Sequence, residues 1–203
     1  MPYHKFVFDK EKRKFIGEFE EMYKSEEEEG FDSWNISNLS ILSRRIHLEI
    51  INSYNFNSIL DFGCGKGALT HLLKKWNNRV VGLDISKTAI DKAKSSYGED
   101  IIFDTIKDNN FTKVIESFEG KIDLTICLET LSYIKNWREV VQDISSFSRY
   151  FYVSLYIPEN PIGFVLSNSD LIDELNIYYN TVEKFIYNDE NTFFLGRNKK
   201  GLK

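Results

Sequence analysis

From residue 58 to residue 155, short apolar runs alternate with segments whose apolar residues recur at helical spacing. The runs typical of strands are Ser58–Phe62, Arg79–Leu83, Ile101–Phe103, Ile122–Leu128 and Tyr150–Leu155. The helical patterns between them are Ala68–Trp76, Lys87–Tyr97, Phe111–Phe118 and Trp137–Phe147. Since parallel strands need long crossover connections, this repeat predicts an α/β fold: a doubly wound, mostly parallel sheet with helices on both faces, in three layers.

The flanking segments complete this plan. A helix is predicted over Ser37–Asn52, with Ser37 or Asn38 as its N-cap, and a short helix over Asp170–Asn176. The last two apolar runs, Ile177–Tyr187 and Thr192–Arg197, flank a polar turn and predict a C-terminal antiparallel hairpin. The hairpin brings the predicted sheet to seven strands.

Composition narrows the class of protein. A chain of 203 residues with 42% hydrophobic residues predicts one domain, residues 1–203, with a core of its own. The net charge of -5 disfavours a nucleic-acid partner. No apolar run is long enough to cross a membrane and the first residues are charged, so we expect a cytoplasmic protein without a membrane partner. Cys64 and Cys127 predict reduced thiols and no metal site.

A glycine-rich loop follows the first strand of the repeat. Gly63, Gly65 and Gly67 alternate directly after Asp61-Phe62, so the backbone can turn sharply and a ligand can lie against it. The G-x-G-x-G spacing differs from the G-x-G-x-x-G of dinucleotide folds, and no G-K-[ST] follows. The loop therefore predicts a close-lying ligand that is neither NAD nor a nucleoside triphosphate; a tight strand-to-helix turn is the alternative.

An acid ends the next strand. Asp84 lies at the end of Val80-Val81-Gly82-Leu83, where a carboxylate can accept hydrogen bonds from both hydroxyls of a ribose. The alternative is a helix N-cap ahead of Ser86. Together with the glycine loop, Asp84 predicts an adenosine-like ligand.

These motifs resemble those of class I S-adenosylmethionine-dependent methyltransferases, over about residues 59–197. Asp61 and the three glycines match the first motif of that family, and Asp84 matches its ribose-binding acid. The resemblance implies a Rossmann-like methyltransferase fold with S-adenosylmethionine as cofactor. It further implies that Ile85 packs on the adenine ring and that Asp104, with its neighbour Thr105, meets the adenine amino group. Asp108 is a competing candidate for that last role.

The loop after the fourth strand faces the reacting atoms in this family. Glu129, Ser132 and Tyr133 are therefore the predicted site residues there, with Glu129 and Tyr133 as the predicted catalytic ones. For Tyr133 the alternative is a buried aromatic residue at a helix start. An acceptor hydroxyl would need a general base, for which Glu129, Tyr133 and His4 are candidates, whereas an acceptor amine must be neutral. His71 is a weaker candidate, because it follows the glycine loop on a predicted helix. Asp123, near the strand start, is predicted to be structural.

A narrower resemblance concerns the substrate. Gly30-Phe31-Asp32-Ser33-Trp34, the pair Arg44-Arg45 and the segment 129–133 are similar to nodulation-factor N-methyltransferases and small sugar methyltransferases. This implies a small-molecule acceptor, a sugar or sugar nucleotide of a surface glycan, methylated on a hydroxyl or amine. Residues 1–36 would then form a cap over the cofactor and acceptor, with Trp34 in the pocket or as a packing anchor. Arg44 and Arg45 are candidates for a phosphate or carboxylate.

Two other functions stay open at this point. One is an NAD-dependent oxidoreductase on a similar sheet, which the glycine spacing disfavours. The other is a non-catalytic module that binds S-adenosylmethionine and regulates a partner. The acidic run Glu26–Glu29 would be its contact surface; otherwise the run predicts a solvated helix end closed by Gly30. Oligomeric state is not predicted.

Overall fold

A computed structural model of the chain describes residues 4–34, 38–107, 110–118 and 120–201. The helices are α1 (His4–Val7), α2 (Phe19–Glu29), α3 (Leu42–Asn52), α4 (Lys87–Tyr97), α5 (Thr112–Ser117), α6 (Trp137–Phe147) and α7 (Asn168–Tyr178). The strands are β1 (Phe8–Asp9), β2 (Lys14–Phe15), β3 (Ser58–Phe62), β4 (Arg79–Asp84), β5 (Ile102–Thr105), β6 (Ile122–Leu128), β7 (Ser148–Tyr156), β8 (Tyr179–Tyr187) and β9 (Asn191–Asn198). Short 3-10 helices cover Thr70–Leu73 and Leu131–Tyr133.

Seven strands form the central sheet in the order β5-β4-β3-β6-β7-β9-β8. The pairs from β5 to β7 are parallel, and β9 is antiparallel to both β7 and β8. The order reverses between β3 and β6, and ligands collect at the carboxyl ends of the strands beside such a reversal. The predicted doubly wound sheet with its antiparallel hairpin is confirmed.

Neighbouring residues of β3 enter two different cores. Ile59 of β3 packs with residues of α3 and α4, whereas Leu60 packs with residues of α5, α6 and α7. This period of two is what a strand covered on both faces requires. The three predicted layers follow from it.

Two helix predictions need correction. The helix predicted over Ala68–Trp76 is only a 3-10 turn, because the Asn78 amide donates to the Leu73 carbonyl at 2.8 Å and accepts from the Lys75 N–H at 2.7 Å. The helix predicted from Ser37 begins at Leu42. Asn38 instead accepts hydrogen bonds from the backbone and the hydroxyl of Ser40, which closes a local turn. Ser37 lies outside the described residues.

The acidic run is also only partly as predicted. Gly30 ends α2 in the left-handed conformation, at φ 70°, and its N–H bonds to the Glu26 carbonyl, so the predicted helix end is confirmed. Glu26 itself, however, is 4% exposed and not on a solvated face. Its carboxylate accepts from Lys66 at 2.7 Å and from the Ser33 N–H at 2.7 Å. A buried carboxylate with these partners has a structural task.

Candidate functional site

The glycine loop joins two strands of the sheet. The N–H groups of Gly63 and Cys64 donate to the Leu83 carbonyl, at 2.8 and 2.9 Å, which ties the loop to the end of β4. Gly63 has a φ of +86°, and a Cβ there would lie 2.1 Å from Thr130 Oγ1. The backbone therefore needs glycine at this position both for its conformation and for the close approach of the loop after β6.

A cavity opens over this loop at the carboxyl ends of β3, β4, β5 and β6; we call it the central cavity. The strand ends and the loops after β3, β4 and β5 contribute Asp61, Gly63, Gly65, Asp84, Ile85 and Ile106 to its lining, and the segment after β6 contributes Glu129, Thr130, Tyr133 and Ile134. Phe19, Tyr23 and Trp34, which precede the sheet, and Arg44 of α3 also line it. The structure thus brings together Asp61, Gly63, Gly65, Asp84, Ile85, Glu129 and Tyr133 of the predicted site residues.

Asp84 is 8% exposed and holds the glycine loop. One carboxylate oxygen accepts from the Gly65 N–H at 2.8 Å, and the other accepts from the Ser86 N–H at 2.9 Å. Burial raises the pKa of Asp84, while these backbone donors oppose the shift. Ser86, not Asp84, is the N-cap of α4, since its hydroxyl accepts from the Ala89 N–H. The alternative in which Asp84 itself caps the helix is therefore wrong.

Asp61 lies deeper, at the base of the loop. It is 3% exposed and accepts the Thr70 hydroxyl at 2.6 Å. Burial raises its pKa to about 7, and the nearby Asp84 adds to the shift while the Thr70 hydroxyl opposes it. Both thiols are free, as predicted, and both are buried; burial raises the pKa of Cys64 well above its usual value.

Glu129 has an unusual backbone conformation, with a φ of +59°. Its carboxylate accepts from the Ser154 hydroxyl at 3.0 Å and from the Tyr156 N–H at 2.7 Å, so both oxygens bind the end of β7. Burial raises the pKa of Glu129, while these donors and the Arg44 guanidinium oppose the shift. The carboxylate therefore lines the cavity while both of its oxygens accept hydrogen bonds from β7.

Arg44 brings a positive charge to the cavity. Its Nη2 donates to the Trp34 carbonyl at 3.2 Å, and its Nε is buried without a hydrogen-bond partner among the described residues. Burial lowers the pKa of Arg44, and Glu129 and Asp32 oppose the shift. Arg45 faces away and donates to the carbonyls of Leu39 and Ser40. An unpaired N–H on a buried cation is suited to an anionic ligand group.

The segment before α3 is fixed to the loops below it by polar contacts. Glu20 accepts hydrogen bonds from the Ser86 and Thr88 hydroxyls, at 2.6 and 2.7 Å. Lys66, inside the glycine loop, forms ion pairs with Glu26 and Asp32 at 2.7 and 2.8 Å.

Tyr23 belongs to the same segment. Its side chain is hydrogen bonded to that of Trp34, and burial raises the pKa of Tyr23 well above its usual value. Its hydroxyl would lie 2.8 Å from a Cβ at Gly65, so Tyr23 sits directly over the loop.

Some predicted site residues do not line the central cavity. Gly67 packs beneath it, where a Cβ would meet the ring of Phe103 at 2.8 Å. Asp104 is exposed and accepts from its neighbour's N–H, and Thr105 and Ser132 also lie outside the lining. Their cofactor contacts stay predictions. Asp108 and the side chain of His4 lie outside the described residues.

Sequence reasoning missed other residues that line the cavity. Phe19, Tyr23, Ile106, Thr130 and Ile134 carry no motif of their own, because aromatic and aliphatic side chains are common in any core. Arg44 was not missed: of the predicted pair Arg44-Arg45, it is the one that lines the cavity, on the helix face that also buries His47 and Ile51. Asp123 is structural, as predicted: it accepts from the Asn57 N–H and pairs with Arg149. None of the helices in the described part of the chain is long and apolar enough to cross a membrane.

Parts of this chain are similar in sequence to known proteins. Residues 60–148 match a family model described as a methyltransferase domain. N-demethylindolmycin N-methyltransferase of Streptomyces griseus is 33% identical over 70 residues, 34% of this chain and 30% of that protein. Nodulation protein S of Azorhizobium caulinodans is 29% identical over 107 residues, 51% of this chain and 49% of that protein. The match thus spans half or less of each curated relative.

A solved structure resembles the fold over most of its length. The N-methyltransferase NodS from Bradyrhizobium japonicum, in complex with S-adenosyl-L-homocysteine, superposes with a TM-score of 0.67 at 18% identity. The superposition covers 87% of this chain and 98% of that one. The family match and the fold support the methyltransferase interpretation over the dinucleotide-dependent alternative. Residues 60–148 thus resemble a methyltransferase domain, and the sheet that carries them has the fold of a solved N-methyltransferase.

Proposed function

We propose that this protein transfers the methyl group of S-adenosylmethionine to an amine of a small molecule, an aminosugar or sugar precursor. The observation that carries the choice of an amine concerns Glu129, whose carboxylate lines the central cavity. Both of its oxygens are held by the end of β7. No histidine or lysine lines the cavity among the side chains that the structure describes.

A hydroxyl acceptor needs a base within hydrogen-bond reach during attack, whereas a neutral amine needs none. The cavity therefore suits an acceptor that loses its proton to solvent before the reaction. Two relatives point the same way, since both are named as N-methyltransferases.

The residues of the cavity suit the cofactor. When bound, S-adenosylmethionine supplies an electrophilic methyl group. The buried carboxylate of Asp84 is suited to the ribose hydroxyls, and the bare backbone of Gly63 and Gly65 leaves room for the chain beyond the ribose. The Nε of Arg44, which has no hydrogen-bond partner within the described part of the chain, is suited to the carboxylate of the methionyl part.

Other residues of the site are suited to the adenine ring and to the acceptor. Ile85 and Ile106 line the cavity and are suited to the faces of the adenine ring. In this proposal Asp104 and Thr105 meet its amino group, as the family resemblance implies. In the same way Ser132 contacts the cofactor. Tyr133 belongs to the acceptor side, where Phe19 and Trp34 offer apolar surface to a sugar ring.

Residues 1–36 act as a cap in this proposal. The contacts of Glu20 and Lys66 with the body of the domain support it, because they hold α2 over the glycine loop. A cap excludes water from the transfer and orients the acceptor, which is most of what such a protein has to supply. The whole chain then serves as one catalytic domain.

A matched pair of sugars tests the proposed function. The purified protein is incubated with S-adenosylmethionine and either glucosamine or N-acetylglucosamine, and the products are analysed by mass spectrometry. We expect a methylated product from glucosamine alone, with the added methyl group on nitrogen. Equal methylation of both sugars would show an oxygen acceptor and overturn the choice of an amine. Binding of S-adenosylmethionine without transfer to any amine would favour a regulatory module.

A further inference from the structure

Three aromatic rings stand together in the lining of the central cavity, where the proposed function places the acceptor. Phe19 comes from α2, Trp34 from the segment after it, and Tyr133 from the 3-10 helix after β6. The ring centroids of Phe19 and Trp34 lie 5.3 and 6.0 Å from that of Tyr133, with interplanar angles of 58° and 42°. We call these three rings the aromatic wall. The wall lines the same cavity as the carboxylate of Glu129.

The aromatic wall is rigidly supported. The ring centroid of Tyr133 also lies 5.8 Å from that of Phe8 and 6.0 Å from that of Phe15. The rings of Tyr133 and Phe15 are stacked, with an interplanar angle of 13°. Behind these rings, Val7 and Met22 are fully buried. The rings therefore do not have to be ordered when a ligand arrives, which favours binding.

We propose that the aromatic wall lies against the nitrogen of a neutral acceptor amine and holds the alkylammonium that methyl transfer produces through cation–π contacts, so that the protein takes alkylated aliphatic amines as well as primary ones and retains their methylated cations. This rests on the proposed function and names its substrate class. Ring faces attract a cation without forming hydrogen bonds. They therefore suit a nitrogen whose hydrogens have been replaced by carbon.

The charge balance of methyl transfer gives the wall a second task. As the new N–C bond forms, the S–C bond breaks and its electron pair stays on sulfur. The positive charge passes from sulfur to nitrogen, and a product that still carries an N–H releases that proton to solvent. Aromatic rings stabilise a cation throughout this change, whereas a strong hydrogen-bond acceptor would hold the amine protonated and unreactive. Glu129, already engaged by Ser154 and Tyr156, adds negative potential without taking that role.

The test uses two probes of the same shape. Choline carries a quaternary ammonium, and 3,3-dimethyl-1-butanol replaces its nitrogen by carbon. Each is titrated by calorimetry into the full-length protein saturated with S-adenosyl-L-homocysteine. We expect choline to bind about tenfold more tightly than the neutral alcohol. Equal affinities, or no binding of choline, would overturn the proposal.

Variants separate the rings from the general negative potential of the cavity. Trp34→Leu and Phe19→Leu leave Glu129 in place, and we expect each to lose most of the preference for choline over the alcohol. Trp76→Leu is the control, because Trp76 is 95% exposed and outside the cavity. A preference for choline that survives both wall substitutions would assign it to Glu129 and overturn the role of the rings.

Two further measurements distinguish a failure of this inference from a failure of the proposed function. Titration with S-adenosyl-L-homocysteine alone reports the cofactor site of each variant, so a misfolded variant is recognised and replaced by Trp34→Phe, which keeps a ring. If glucosamine is methylated but choline shows no preference, the proposed function stands and this inference fails. If neither S-adenosylmethionine nor its product binds, both fail.

Discussion

The carboxylate of Asp84 accepts a hydrogen bond from the backbone N–H of Gly65 at 2.8 Å. The acid that ends β4 thus holds the glycine loop that follows β3. The second oxygen of Asp84 accepts the Ser86 N–H at the start of α4. One side chain therefore fixes the loop and the helix that border the central cavity on this side.

Substitution of Asp84 by asparagine is expected to weaken the binding of S-adenosyl-L-homocysteine by about 1.5–3 kcal/mol. An asparagine offers one acceptor oxygen in place of two, so it cannot satisfy both N–H groups and a ribose as well. Titration calorimetry measures the change. Asp91→Asn is the matched control, since Asp91 lies on α4 with its side chain exposed and paired with Lys87. Unchanged affinity in Asp84→Asn would remove Asp84 from the cofactor site.

Asp104 allows a graded comparison with Asp84. It ends the neighbouring strand β5, but it is exposed and outside the cavity lining. We expect Asp104→Ala to weaken cofactor binding by less than Asp84→Asn, because an exposed hydrogen bond competes with water. The same titration tests it. A larger loss in Asp104→Ala would mean that the segment after β5 closes over the adenine.

Lys66→Met is expected to destabilise the protein by about 2 kcal/mol, because Glu26 keeps its buried charge and loses its cation. Chemical denaturation followed by circular dichroism measures the free energy of unfolding. Lys87→Met is the control: its ion pair with Asp91 is exposed and is expected to contribute less than about 0.5 kcal/mol. Equal effects of the two substitutions would show that the Lys66 contacts do not hold the cap.

The raised pKa of Asp61 makes the free energy of unfolding depend on pH. Its pKa rises from 3.8 to about 7 on folding, so between these values the folded protein holds a proton that the unfolded chain has released. The free energy of unfolding therefore falls as the pH rises through this range, by about 1.4 kcal/mol for each pKa unit. We expect Asp61→Asn to reduce this slope, measured by denaturation at several pH values. An unchanged slope would assign the effect to other groups.

Glu129→Gln tests whether the transfer needs a base. Removal of a general base costs about 10²–10⁴ in rate. We expect a loss of less than about tenfold, because glutamine keeps one of the two contacts to β7 and an amine needs no base at the transfer step. The rate at subsaturating glucosamine should rise with pH as the amine loses its proton, in the variant as in the parent protein. Loss of that pH dependence in the variant would identify Glu129 as the base.

The sequence predicted an element well where contacts within the element itself determine its structure. The bounds of α4 match the prediction, Lys87–Tyr97, because Ser86 caps the helix and the apolar spacing fills its buried face. The prediction for Ala68–Trp76 was wrong because the side chain of Asn78, beyond the segment, replaces its helical hydrogen bonds. Helical periodicity does not register such a contact.

The same distinction applies to the site. The placement of Gly63 and Asp84 beside the cavity was predictable, because it depends on strand ends and on spacing along the chain. The burial of Glu26 was not, because it depends on Lys66, which lies 40 residues away in the chain. The aromatic wall was predictable only in part: Trp34 and Tyr133 were candidates, but Phe19 reaches them through the docking of α2.

A calorimetric titration of the purified protein with S-adenosylmethionine, with S-adenosyl-L-homocysteine and with NAD tests the central claim most directly. The account predicts micromolar binding of the first two and none of NAD. Binding of NAD alone, or of none of the three, would contradict it.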